Sequence, residues 1–330
     1  MSAGEASPLE ALAEKAGREF PNLTEARERT KAGLEDRRAR LGDLQHSAGA
    51  SIVLMGSWGR AEVTAGSDDD FMVLVQGAER PGIEPSEEEV KGVLDRAPGG
   101  QGIFGDPVFS DNLVQNIGLD RDHNSNLTRR MLFLLESVPV TGDKVYEVVR
   151  DEVLSRYLDE SIKAYRPPRF LLNDVVRYWR TICVDFAGKE LEVPGKWGLR
   201  NAKLRNSRKI LFAGGFLPIL ECYRTDEAAM RGFLERRLAL PPTDRIAQSF
   251  LDHGASDAGA RTLGAYDEFV GFMNDEGFRD ALKKVTRETS GSSPEFAEMQ
   301  RIGHELEEGL LALLYETRHL PEVVREYAIF

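Results

Sequence analysis

The chain has 330 residues, of which 41% are hydrophobic and 30% are charged, a composition typical of a globular protein with one large or two medium domains. Its net charge of −12 argues against an extended nucleic-acid footprint, because such a surface is positively charged. With only two cysteines, and five histidines that lack ligand spacing, we expect neither a disulfide framework nor a zinc site. We find no signal-like leader and no apolar run long enough to span a bilayer, so we expect a cytoplasmic protein that is neither exported nor inserted in a membrane.

The first 46 residues predict two leading helices that pack on the domain after them. A stretch rich in Ala, Leu, Glu and Arg begins after Ser7 and is broken at residues 20–24. Asn22 and Glu25 lie at this break with the spacing of a capping box, which marks a helix start. Acidic and basic residues are paired along the second helix, which predicts a mostly solvated face.

Residues 47–145 alternate strand and helix patterns with Gly and Pro breaks, which predicts a compact α/β domain. Two apolar runs, residues 51–55 and 71–75, are typical of strands buried on both faces. Gly56 and Ser57 directly follow the first run, and a glycine there allows the backbone to approach a phosphate closely. We therefore expect a phosphate-binding loop at the end of the first strand.

Two aspartates, Asp68 and Asp70, are predicted on the second strand. Residues i and i+2 of a strand project from one face, so both carboxylates can reach one pair of cations, whereas Asp69 should point away. Mg²⁺ prefers such oxygen ligands. A nucleoside triphosphate reacts at its α-phosphorus only when cations clamp its phosphates. The pattern therefore predicts metal-assisted chemistry on a nucleotide.

These residues resemble the signature of the polymerase β-type nucleotidyltransferase superfamily, which many small bacterial members write as G-S-x-x-R followed by S-D-x-D. The matching residues are Gly56, Ser57, Arg60, Ser67, Asp68 and Asp70. The resemblance implies a mixed sheet flanked by helices, a triphosphate on the loop, and two Mg²⁺ or Mn²⁺ ions held by Asp68, Asp70 and a third acid. It also implies transfer of a nucleotide to an acceptor hydroxyl with release of pyrophosphate.

Three side chains around the acidic pair have further expected roles. Arg60 should lie one turn into a helix after the loop, where its guanidinium neutralises phosphate charge and Glu62 orients it. Ser67 either contacts the nucleotide or shapes the turn before the acidic strand.

The third carboxylate, which the resemblance implies as a metal ligand and base on a neighbouring strand, is ambiguous in the sequence. Asp106 and Asp111 lie in residues 102–112, the natural place for that strand. Asp120 and Asp122 follow in a polar loop. Asp106 is our choice, and the other three acids stay open.

The segment from Leu127 to Asp143 resembles the helix ending in L-L-E in the amino-terminal domain of bacterial uridylyltransferases that modify the nitrogen signal protein PII. This resemblance favours a protein hydroxyl as the acceptor. The His-Asp phosphohydrolase signature of those enzymes is absent, so nucleotide removal is not expected. A tRNA acceptor contacted by the basic residues 196–209 stays open, as does a nucleotide-binding or antitoxin-like protein without catalysis.

Residues 146–330 predict an all-α substrate-binding or nucleotide-binding domain, because strand patterns largely vanish after residue 125. Helical patterns span residues 126–137, 143–165, 170–187, 198–213, 226–237, 242–253, 258–275, 277–287, 294–317 and 321–328. Lys203 and Ser207 lie four residues apart on one predicted helix, and the superfamily resemblance implies that such a pair reaches the triphosphate. Trp58, Trp179 and Trp197 either stack a base or belong to the core.

Overall fold

The structure is a computed structural model that describes residues 6–96, 98, 103–159, 162–192 and 195–328, without the side chains of residues 189–192. The chain forms two compact units. The sheet unit comprises Ala26–Val63 and Ser67–Ser161, and the helical unit comprises Met1–Glu25, Thr64–Gly66 and Ile162–Phe330.

The strands are β1 (Ala50–Met55), β2 (Phe71–Val75), β3 (Pro107–Phe109) and β4 (Ser137–Pro139). Within the described part of the chain they form one four-stranded sheet in the order β3-β2-β1-β4. β1 is antiparallel to both β2 and β4, whereas β2 is parallel to β3. The sheet is therefore mixed, and the starts of β2 and β3 lie at the same edge.

The helices are, in chain order, α1 (Pro8–Ala16), α2 (Pro21–Gly42), α3 (Glu87–Val93), α4 (Ser110–Val114), α5 (Asn124–Leu135), α6 (Asp143–Leu158), α7 (Arg169–Glu192), α8 (Trp197–Arg205), α9 (Ser207–Leu220), α10 (Glu227–Leu238), α11 (Pro242–Asp252), α12 (Ser256–Asn274), α13 (Glu276–Lys284), α14 (Pro294–Glu316) and α15 (Leu320–Tyr327). The part of α2 after Glu25 belongs to the sheet unit with α3 to α6. No described helix combines the length and the apolar character needed to cross a bilayer.

The core of the sheet unit explains why the two apolar runs form its central strands. Every residue of β1 and β2 is buried. Ile52 lies opposite Val73 in the antiparallel register, and both pack in one cluster with Leu41 of α2 and Val90 of α3. Alternate apolar residues of β1 and β2 thus pack on the face of the sheet covered by α2 and α3, and the remaining ones are buried on the opposite face.

The mixed α/β class and the mixed sheet are confirmed, but the unit boundaries differ from those predicted. Helix α1 belongs to the helical unit, where the backbone N–H of Leu9 donates to Asp244 Oδ1 at 3.0 Å. Helix α6 belongs to the sheet unit, although we predicted a helical domain from residue 146 onward. Both differences arise from long-range packing, which a linear pattern does not encode.

Two local predictions are corrected at the ends of helices. The start of α2 is not a capping box of Asn22 and Glu25, because Asp267 of α12 accepts from the Leu23 N–H at 2.7 Å. The helix predicted over residues 198–213 is two helices, interrupted at Asn206. The side-chain amide of this buried residue donates to the carbonyl of Ala202 at 2.9 Å, a local bond that competes with continued helix.

Strand β4 lies where no strand was expected. It contains a proline and only three residues, so it shows no alternating pattern. Its pairing with β1, with Leu54 opposite Val138, is what makes it a strand. Most of the other predicted helices agree with the structure within a few residues.

Candidate active site

The acidic loop, residues 67–70, leads directly into β2 instead of lying on the strand. Its side chains nevertheless alternate in burial: Asp68 is exposed, Asp69 is 1% exposed, and Asp70 is partly exposed. The prediction that Asp69 points away from the two outer carboxylates is confirmed. This alternation is the one that a strand-like segment produces, with Asp68 and Asp70 more exposed than the Asp69 between them.

The turn after β1 contacts the acidic loop. Gly56 has φ of +65°, and a Cβ at this position would lie 3.1 Å from Oδ2 of Asp70. The N–H of Met55 donates to the carbonyl of Asp70 at 2.9 Å, which holds the two segments together. Glycine suits this position for two reasons: it readily adopts a left-handed backbone conformation, and its lack of a Cβ leaves room for the nearby carboxylate.

Residues 56–61 form a hydrogen-bonded turn, so the helix predicted after Gly56 and Ser57 is absent from this described segment. The N–H of Arg60 donates to the carbonyl of Gly56 at 3.0 Å, and that of Glu62 donates to Ser57 at 2.9 Å. Ala61 has φ of +56°, a left-handed conformation that ends a helical turn. Ser57 is partly exposed at the start of this turn.

Arg60 is held between two buried carboxylates. Its Nε donates to Oε2 of Glu62 at 2.9 Å, and its Nη1 donates to Oε2 of Glu136. Arg60, Glu62 and Glu136 are 9%, 5% and 1% exposed. The expected orientation of Arg60 by Glu62 is confirmed, whereas a contact of Arg60 with phosphate stays a prediction.

The turn also lies against the segment that joins α5 to β4. A Cβ at Gly59 would lie 2.1 Å from both the main-chain carbon and the carbonyl oxygen of Glu136. No real Cβ contact is so short, so only glycine fits here without a shift of main chain. Glu136 thus contacts this turn in two ways: its carboxylate accepts a hydrogen bond from Arg60, and its backbone packs against Gly59.

We expect Gly59→Ala to lower the free energy of unfolding by about 1–3 kcal/mol, because the added methyl overlaps a packed backbone. Gly92→Ala is the matched control, since nothing lies within 4 Å of a Cβ at that exposed position of α3. The control should be neutral or stabilising by up to about 1 kcal/mol, because alanine is the better helix former. Urea denaturation of both variants measures the difference, and equal midpoints would contradict the close approach at Gly59.

Asp69 and Ser67 connect the acidic loop to the segment after α3. The carboxylate of Asp69 accepts from Nη2 of Arg37 at 3.0 Å and from Nε1 of Trp58 at 3.0 Å. It also accepts from the backbone N–H of Arg96 at 3.1 Å. The side chain of Arg96 in turn donates to the carbonyl of Ser67 at 2.7 Å, which favours the turn-shaping role of Ser67.

Asp106 lies just before β3 and is exposed. β2 and β3 are parallel, and Pro107, the residue after Asp106, lies opposite Val73. Asp70 and Asp106 thus each lie directly before the start of one of two neighbouring parallel strands. Burial lowers the pKa of the Arg129 guanidinium, and the charge of Asp106 opposes that shift, so a cation lies near this acid.

The other three acids have different surroundings. Asp111 lies in the first turn of α4, past the strand, and Asp120 is exposed in the loop before α5. Both carboxylate oxygens of Asp122 accept from the fully buried Arg130, at 3.1 and 2.8 Å. Asp122 therefore has a structural partner, and Asp106 stays our choice for the third acid.

The donor set fits a hard divalent cation. Among the described residues, no three His, Cys, Asp or Glu side chains are grouped so as to hold a metal ion. Mg²⁺ does not require such a group, because proteins commonly bind it through one or two carboxylates together with substrate phosphates and water. Asp70 supplies a carboxylate beside the Gly56 turn, the place expected for those phosphates, and the exposed Asp68 precedes it by two residues.

Lys203 and Ser207 belong to the helical unit and to two different helices. Lys203 is exposed, whereas Ser207 is 6% exposed and its hydroxyl donates to the Lys203 carbonyl at 3.2 Å. Their proposed contact with a triphosphate stays a prediction. Trp58 and Trp197 are 4% and 8% exposed, which favours core roles over base stacking.

Two important residues escaped the sequence prediction. Arg37 lies in a helix predicted to have a mostly solvated face, yet it is 8% exposed, and no local signal distinguishes it from its charged neighbours. Glu136 had a signal, since it ends the L-L-E pattern, but the pattern did not reveal its partner Arg60.

Comparisons with known proteins add no identification, since a scan against protein-family models and searches of curated proteins and of solved structures found no match.

Proposed function

We propose that this protein is a metal-dependent nucleotidyltransferase, which moves a nucleoside monophosphate from a nucleoside triphosphate to an acceptor hydroxyl. The observation that carries the proposal is the packing of Gly56 against Asp70, where an added Cβ would lie 3.1 Å from Oδ2 of Asp70, together with the exposed Asp68 two residues before Asp70. A triphosphate requires both parts in one place, namely backbone that approaches its phosphates and carboxylates that hold its cations. The resemblance in sequence points to the same chemistry.

In the proposed reaction the acceptor oxygen forms a bond to the α-phosphorus. The bond from that phosphorus to the oxygen bridging the α- and β-phosphates breaks, and pyrophosphate leaves with the electron pair. The hydroxyl proton passes to Asp106, whose exposed carboxylate is open to an incoming acceptor. Divalent cations, when bound, would screen the phosphate charge and lower the pKa of the hydroxyl. Gly56 and Ser57 would bind the phosphates, and Asp68 and Asp70 would hold the cations.

The acceptor that we favour is a protein hydroxyl. The support is the resemblance of the segment from Leu127 to Asp143 to PII-modifying uridylyltransferases, together with the net charge of −12, which disfavours long nucleic acids. A tRNA acceptor is the alternative. It would be contacted by the basic residues 196–209 and would show strong dependence on salt.

The test is incubation of the purified protein with Mg²⁺, each of the four α-labelled nucleoside triphosphates, and cell lysate. We expect one nucleotide to label a band that protease destroys and RNase leaves intact. A band destroyed only by RNase would instead identify an RNA acceptor. Nucleotide binding without any labelled product would contradict transfer and support a nucleotide-sensing protein.

A further inference from the structure

We infer that Asp69 is a positioning residue: its buried carboxylate holds the phosphate-binding turn and the two metal-binding aspartates in a fixed position relative to each other. The Asp69 clamp consists of Asp69, Arg37, Trp58 and the backbone of Arg96. The inference rests on the proposed function only for the roles of Asp68 and Asp70 toward metal. The geometric part, that the clamp orders both segments, stands on the contacts alone.

The clamp joins separate parts of the sheet unit at one carboxylate. Arg37 projects from α2, Trp58 belongs to the turn after β1, and Arg96 follows α3. Nη2 of Arg37 lies 3.0 Å from each Asp69 oxygen, while the guanidinium carbon stacks 4.1 Å from the centre of the Trp58 ring. Because Asp69 lies between Asp68 and Asp70, its anchoring fixes the direction of both neighbours.

The chemistry of this position argues for more than packing. A buried carboxylate is costly to desolvate, and an apolar pair of similar volume is often as stable as a buried ion pair. What an apolar side chain cannot do is accept hydrogen bonds from an indole and a backbone amide in fixed directions. Asp69 therefore gives the loop one orientation, which a site with two outward carboxylates needs.

Through Trp58 the clamp also holds the proposed phosphate-binding turn. It lies two residues after Gly56, and its ring is enclosed on the α2 side, where a Cβ at Gly33 would lie 2.8 Å from it. The indole bond to Asp69 thus ties the turn to the acidic loop through side chains, in addition to the backbone bond from Met55 to Asp70. Loss of the carboxylate should loosen both segments together.

The first test is hydrogen exchange of Asp69→Asn and Arg37→Lys in the full chain. Charge-assisted bonds contribute about 1.5–3 kcal/mol, so we expect roughly 10- to 100-fold faster exchange in residues 55–62 and 67–70. Arg130→Lys is the matched control, because it weakens the other buried Asp–Arg pair of the same unit by the same change. The control should leave exchange in those two segments unchanged.

The second test is the affinity for Mn²⁺ alone, measured by titration calorimetry well below the melting temperature. Loss of an orienting partner behind metal ligands typically weakens binding about 10- to 100-fold, and we expect this for Asp69→Asn but not for Arg130→Lys. If the clamp only stabilised the fold, Asp69→Asn would lower the melting temperature, as Arg130→Lys should, and would leave the Mn²⁺ affinity intact. If Asp69→Asn does not fold, the double variant Asp69→Leu/Arg37→Met keeps apolar packing while removing the bonds to Trp58 and Arg96.

The outcomes separate this inference from the proposed function. Unchanged exchange in both segments of the clamp variants would overturn the inference, whatever the protein catalyses. Wild-type protein that neither binds Mn²⁺ nor transfers nucleotide would overturn the proposed function, while the exchange result would still decide whether Asp69 orders the two segments. Faster exchange with unchanged Mn²⁺ affinity would overturn the positioning of the metal ligands.

Discussion

An Asp70→Asn variant is expected to lose at least about 10³-fold in the rate of nucleotide transfer, with the fold retained, because a metal ligand contributes several kcal/mol to the transition state. Asn keeps the size of the side chain but removes the negative charge that attracts the cation. Asp70 is partly exposed, whereas Asp69 is 1% exposed, so the change at Asp70 removes a carboxylate that is less buried than that of Asp69. The same loss is expected for Asp68→Asn. The measurement is pyrophosphate release with the acceptor identified by labelling.

The control for this prediction is Asp43→Asn, an exposed acid after the end of α2 in the sheet unit. It removes the same charge from the same unit outside the proposed site, so transfer should remain within about twofold. Melting curves of all three variants should overlap with that of the wild type. Full activity of the Asp68→Asn/Asp70→Asn double variant would contradict the mechanism.

The identity of the third acid follows from the same experiment applied to other positions. Asp106→Asn should lower transfer strongly and flatten its dependence on pH, since the proposed base is removed. Asp111→Asn and Asp120→Asn should leave transfer nearly unchanged, because Asp111 lies in α4 and Asp120 lies in the exposed loop before α5. A strong loss only at Asp111 or Asp120 would move the base to that residue.

Local patterns in the sequence were sufficient to predict the two central strands of the sheet. The runs 51–55 and 71–75 are strands because a continuous apolar segment bounded by Gly and Asp suits a doubly buried position. The same period-two reasoning gave the burial of Asp69, since an extended backbone alternates its side chains. Both conclusions depend only on residues adjacent in the chain.

Partners that are distant in the chain could not be predicted in this way. Arg37 pairs with Asp69 across 32 positions, and Arg60 pairs with Glu136 across 76 positions, but a charged residue carries no mark of which opposite charge it will meet. Strand β4 and the fit of Gly59 against Glu136 likewise depend on segments that are distant in the chain and come together only in the fold. The sequence therefore predicts the local elements around the candidate site better than the contacts that hold them in place.

The pair of Arg130 and Asp122 should have the largest effect on stability in the sheet unit. Arg130 is fully buried, its Nε donates to the hydroxyl of Tyr157 at 2.6 Å, and its Nη1 donates to the carbonyl of Leu113 at 3.2 Å. Arg130→Met leaves Asp122 as a buried charge without its cation, which should cost about 3–5 kcal/mol of unfolding free energy. Native-state hydrogen exchange of the sheet amides measures this loss for the sheet unit itself.

The double variant Asp122→Leu/Arg130→Met separates the two parts of that cost. It removes both charges, so the penalty of an unpaired buried carboxylate disappears and most of the lost stability should return. The hydroxyl of Tyr157 and the carbonyl of Leu113 still lose their donor, which should leave the double variant about 1–3 kcal/mol below the wild type. A double variant as unstable as Arg130→Met alone would contradict this account, because it would show that the hydrogen bonds to Tyr157 and Leu113, and not the charge on Asp122, determine the loss.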